Sequence, residues 1–75
     1  MGPSPPDVTK RLWRARKRHD HIDAVLSEGV DRWTLTFRYN DRDMLAWPFP
    51  TREAAIDEAT ARLSELARVG WNSHW

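Results

Sequence analysis

"RLWRARKRHDHIDAVL", Arg11 to Leu26, decides the fold, because two periods fit it and each builds a different protein. As a helix, Val8, Leu12, Ala15, His19, Ile22 and Leu26 recur at steps of four and three, with Ser4 to Asp7 as the start and Gly29 as the stop. As a hairpin, Trp13, Ala15 and Lys17 alternate with Leu12, Arg14, Arg16 and Arg18. His19-Asp20-His21 then turns the chain, and Ile22, Ala24 and Leu26 alternate with Asp23, Val25 and Ser27. Local propensity leans to the helix. The hairpin makes the better sheet, since an isolated pair of strands under one helix is barely stable and a larger sheet is comfortable. On these residues alone the two readings stand even.

The segments that follow have one reading each. "WTLTFRYN" alternates strictly, with Trp33, Leu35, Phe37 and Tyr39 on one face and Thr34, Thr36 and Arg38 on the other. Asn40 to Asp43 turns the chain, since Asn and Asp tolerate left-handed backbone and bond their own main chain. The returning strand places Leu45, Trp47 and Phe49 on the apolar face and Met44, Ala46 and Pro48 outward; Pro48 has no N–H to give a ladder. From Pro50 to Trp71 the chain reads as a helix: Thr51 caps its start and Gly70 ends it, with Trp71 folding back on the last turn. Ile56, Ala59, Leu63, Leu66 and Gly70 form its seam, flanked by Ala55 and Ala67. Small residues there let it approach a sheet made bulky by Trp and Phe.

A chain of 75 residues makes one domain. Residues 1 to 9, rich in Pro, read as a disordered or extended leader, and 10 to 75 as a single small α+β domain. There is no Cys, which excludes disulfides, Fe–S clusters, thiolate zinc sites and thiol catalysis. Nothing near Met1 resembles a secretory signal and no run is long enough to span a bilayer, so a cytoplasmic location is the expectation. Aromatic mass stands in for cross-links: Trp13, Trp33, Trp47, Trp71 and Trp75, with Phe37, Tyr39 and Phe49.

Most of the chain, from Arg11 to Trp75, resembles a group of small uncharacterised bacterial proteins. The matching motifs are L-W-R-x-R-K (Leu12 to Lys17), I-D-A-x-L (Ile22 to Leu26), an aromatic strand pair (Trp33 to Phe49), T-R-x-A-A (Thr51 to Ala55) and G-W-x-x-H-W (Gly70 to Trp75). The resemblance brings no activity. It implies that the "RKRHDH" region is punctuated as a hairpin, which tips the balance to an α+β fold: an antiparallel sheet of three to four strands packed by one C-terminal helix, ββββα. The alternative is an N-terminal helix, a β-hairpin and a C-terminal helix. A slighter likeness is to the arm-type DNA-binding domain of tyrosine integrases, carried by the strand from Trp33, the turn at Arg42 and the junction Phe49, Thr51, Ala54 and Ala55. It implies a sheet that enters the DNA major groove. The outward face here departs from that pattern, with Arg38 its only cation among Thr34, Thr36, Met44, Ala46 and Pro48.

The net charge of +1 conceals an asymmetry: six Lys or Arg against two Asp in residues 1 to 20, and six against nine acidic residues in the rest. Lys10, Arg11, Arg14, Arg16, Lys17 and Arg18, with Arg38 and Arg42, are therefore the candidate nucleic-acid contacts. The competing reading is that such charges protect a sheet edge from pairing with another chain. His19, Asp20 and His21, with His74, have the residue types of a metal site but lack dependable third and fourth ligands. No metal, cofactor or small-molecule substrate is expected. Asp41, Asp43, Glu53, Asp57, Glu58 and Glu65 fall in a turn or on the solvent side of the helix, and Ser27, Ser64 and Ser73 have no nucleophile context, so no enzyme is expected.

Width decides the rest. A helix about 10 Å across cannot cover four strands about 4.8 Å apart, so part of the aromatic face stays bare. A bare apolar strip is usually an interface. The expectation is a non-catalytic interaction or assembly module, a homodimer joined through Trp33, Phe37, Tyr39, Trp47 and Trp75, with a nucleic-acid-binding accessory protein as the alternative.

Overall fold

The computed structural model describes residues 9–74. The opening stretch is a hairpin: β1 (Thr9–Lys17) and β2 (Asp20–Glu28), followed by β3 (Trp33–Tyr39), β4 (Arg42–Phe49), α1 (Arg52–Arg68) and a short β5 (Asn72–His74). The strands form one antiparallel sheet in the order β4-β3-β2-β1-β5, and α1 packs on one face of it. The fold is α+β, ββββα with a fifth strand added. Thr9, read as leader, begins β1; the rest of that segment, and Trp75, lie outside the described residues.

The hairpin wins because it puts Trp13 and Ala15 of β1 beside Ala24 and Leu26 of β2 on one buried face. A helix would have placed His19 in that seam. Leu35 and Phe37 of β3 and Ala55 and Ala59 of α1 complete the core. Ala55 and Ala59 let the helix axis come close, and the Trp13 indole Nε1 donates to the Ala59 carbonyl at 3.0 Å. The largest side chain of the core thus ties helix to sheet without an orphaned polar atom.

Turn geometry follows residue chemistry. Asn40 and Asp41 both have positive φ (49° and 70°), the backbone of a two-residue type I′ hairpin loop. The first hairpin turns at Arg18 and His19, one residue earlier than the His19 to His21 expectation, with Arg18 at φ 58°. Asn40 joins the two turns: its side-chain oxygen accepts from the His21 N–H at 2.9 Å and its amide donates to Asp20 at 3.1 Å. The Asn40 amide bond, with Tyr39 second, holds the Asp20 carboxyl below its usual range.

Thr51 caps α1, its hydroxyl accepting from the Ala54 N–H at 3.1 Å. At the other end Gly70 (φ 101°) donates to the Ala67 carbonyl and Trp71 to that of Leu66, the paired bonds of a Schellman stop. Lys17 reaches from β1 to the Val69 carbonyl at 2.8 Å, a cation on the negative end of the helix. Ala67, expected beside the seam, is exposed.

Strict alternation fails at two bulges. In β1 the pairing passes from Arg11↔Val25 to Trp13↔Ala24, so Leu12 is an extra residue and packs against the core instead of joining the Arg row. In β4 it passes from Leu45↔Phe37 to Asp43↔Arg38, so Met44 is extra and joins Leu45 along the apolar side, correcting its outward assignment.

Candidate functional site

β4 is the outermost strand, and of its residues all but Phe49 are exposed. Because α1 is drawn over the middle of the sheet by Ala55, Ala59 and the Trp13 bond, it leaves a trough between itself and β4. Ile22, Phe37, Met44, Leu45 and Trp47 line this trough on the sheet side, and Arg62, Glu65 and Leu66 on the helix side. It holds about 240 Å³. Leu45 and Trp47 are 51% and 50% exposed and Met44 59%, large apolar groups left in water on a chain with little core to spare. On the rim, Arg62 is paired to Glu58 at 2.9 Å and to Glu65 at 3.2 Å, which leaves the helix wall one negative charge in excess.

The aromatic residues expected at an interface separate into groups. Trp47 stands in the trough; Phe37 is buried beneath it, its ring 6.1 Å from that of Trp13. Trp33 packs against the core and Tyr39 is half-buried near the turn. Trp75 lies outside the described residues. Of the trough residues only Phe37 and Trp47 were interface candidates; Met44 and Leu45 are the exposed apolar ones that were not. Leu45 was already on the expected apolar face; Met44 joins it only through the bulge, which register sets and composition does not.

Among the described residues no element packs over the other face of the sheet, which carries most of its polar side chains. Arg11, Arg14 and Arg16 lie across from Val25, Asp23 and His21. Arg14 is spent internally: its Nε and Nη2 donate to the two oxygens of Asp23 at 2.6 and 2.9 Å. Asp23 is 4% exposed, and the Arg14 bonds hold its carboxyl below the usual carboxylate range. Arg38 Nη2 donates to the Asp41 carbonyl at 3.0 Å, and its Nε lies 3.0 Å from an Asp43 oxygen, an ion-pair contact at an angle that makes no hydrogen bond. Lys17 caps α1, Lys10 pairs across from Leu26, and Arg18 and Arg42 sit at the two turns. The eight basic candidates therefore do not converge on one patch. Nor is β1 an edge at Arg14 to Arg16, where β5 pairs with it, so edge protection does not account for those charges.

Near Asp23, the ligating atoms of His21, Asp23 and Asp41 lie within 4.8 Å of one another. The His21 ring is 3.3 Å from Asp41. Arg14 already holds both Asp23 oxygens, and its guanidinium supplies the positive charge that a metal would bring. His19 and Asp20, whose residue types had suggested a metal site without enough ligands, are not part of this group, and the His74 side chain lies outside what is described.

Comparison of this chain with protein-family models, with curated proteins and with solved structures finds no match.

Proposed function

We propose that this protein is a non-catalytic interaction module that self-associates through the strip of sheet beside α1. The observation that carries the reading is the half-exposure of Leu45 and Trp47 on the edge strand β4, beside an apolar trough. Burying such groups at about 25 cal/mol per Å² is the driving force available. The polar clusters of the open face support the same reading, because their charges are engaged in holding strands and turns together.

Sedimentation over a dilution series is the test. The wild-type chain is expected to move from monomer to dimer in the micromolar range, and Trp47→Ser and Leu45→Ser to weaken the dimer about tenfold or more each, as central apolar anchors do. A wild-type chain that stays monomeric into the high micromolar range ends the reading.

Nucleic-acid binding is the second reading, and the placement of Arg11 and Arg16 on the open face favours it. Charge reversal at both would then remove salt-sensitive binding to duplex DNA, while absence of wild-type binding at low salt would dismiss it.

A further inference from the structure

The outer edge of β4 specifies how two copies would meet. Pro48 stands opposite Thr34 in the β3–β4 ladder and has no N–H, so its nitrogen belongs on the free side. Counting from the turn gives the same phase. The Asn40-Asp41 loop makes Tyr39↔Arg42 a hydrogen-bonded pair and Arg38↔Asp43 a non-bonded one. The bulge then sets both Met44 and Leu45 against the next bonding position, Phe37, which leaves Ala46↔Thr36 non-bonded on the inner side. The Ala46 N–H and C=O therefore point away from the sheet, and among the described residues no strand takes them.

We infer that the β4 strands of two copies pair antiparallel about a two-fold axis at Ala46, joining the sheets edge to edge; this rests on the self-association proposed above. Such an axis keeps inner faces together, so only registers that oppose inner to inner residues are allowed. Centred on Ala46, the two Ala46 residues exchange both backbone bonds, and Leu45 of each copy lies across from Trp47 of the other. The half-exposed pair thus becomes its own partner. Shifting the axis to Trp47 would set Ala46 opposite Pro48 and leave each Ala46 carbonyl without a donor near the centre of the contact, a costly arrangement. With Ala46 central, the missing Pro48 N–H falls at the end of the pairing, near water.

The size of the contact fits a dimer of modest affinity. An eight-residue strand runs about 26 Å at roughly 3.3 Å per residue. With the trough beside it, each copy offers on the order of 500 Å², toward the small end of specific interfaces. The opposite edge is divided between β5, three residues long, and the Thr9 to Trp13 part of β1, which is bulged at Leu12 and carries Lys10 and Arg11, so it offers less for a second pairing.

The chain has no cysteine, so one introduced cysteine reports one contact. In the expected pairing the two Ala46 Cα atoms lie about 5.5 Å apart, within disulfide range. Under mild oxidation A46C should give a thiol-reducible dimer in high yield, whereas T60C, exposed on α1, should not. Sedimentation of the wild-type chain is read alongside. A wild-type dimer whose A46C variant cross-links no faster than T60C overturns the edge pairing and leaves self-association standing. A wild-type monomer overturns both.

Discussion

Asp23 shows how much one residue depends on its strand partner. It sits on the open face of the sheet, where a carboxylate is ordinarily solvated, yet Arg14 covers it with two charge-assisted bonds. Its folded pKa is depressed, so the stability it contributes is present above the carboxylate's unfolded value, near 3.8, and is lost as pH falls through the folded value. Acid unfolding should therefore begin below about pH 4. Asp23→Asn should flatten that limb and cost about 1–2 kcal/mol, less than a fully buried pair because water reaches the Arg14 side chain. A urea melt at pH 7 and another at pH 3 would check both. Trp13 was legible as core from its alternation with Ala15. The role of Asp23 was not, because its partner is nine positions away and is fixed only by register. Trp13→Phe keeps most of the ring volume and deletes the bond to Ala59, so thermal unfolding should show a loss of about 1–2 kcal/mol, roughly 5–10 °C for a domain this size.

Among the elements, α1 was written almost fully into the sequence: Thr51 and Gly70 are its caps, and Trp71 closes the last turn as expected. Caps are local, so local sequence determines them. Strand faces are less legible, because a bulge shifts the phase of everything beyond it by one residue. Leu12-Trp13 and Met44-Leu45 are adjacent apolar pairs at the two bulges, but Ala24-Val25-Leu26 is apolar throughout and pairs with β3 without one, so sequence alone does not locate the shift. The turn at Asn40-Asp41 offers a test of the element's own chemistry. Asp41→Gly produces the Asn-Gly pair that type I′ loops favour; it removes a side chain from φ 70° but gives up the 3.3 Å contact with His21. Backbone relief outweighs a contact to an exposed carboxylate, so calorimetry should show a gain of about 0.5 kcal/mol or a little more.

At the scale of the whole molecule width decides what stays bare: one helix over a broad sheet leaves a strip, and the strip lies along β4. Which edge stays bare was not legible, because it depends on where Ala55 and Ala59 dock and on the return of β5 to β1. The tail after α1 returns to the first strand. Its strand covers the flank of Arg14, Ala15 and Arg16, turning an outer strand into an inner one. A chain ended after Trp71 should keep the meander and α1 but expose that flank. It is expected to lose solubility on concentration, read by light scattering against the full chain.

That return also orders events in time. β1 to β4 pair with their neighbours in sequence, each hairpin able to close within microseconds of its own residues becoming available. β5 instead joins β1 across 56 to 60 positions, and the Trp13 bond to Ala59 spans 46. During synthesis the first strand must therefore wait, one flank unsatisfied and its indole uncovered, until α1 and the residues after it have left the ribosome. The slowest step of folding should be this long-range closure, and the nascent chain is most vulnerable to wrong partners just before it.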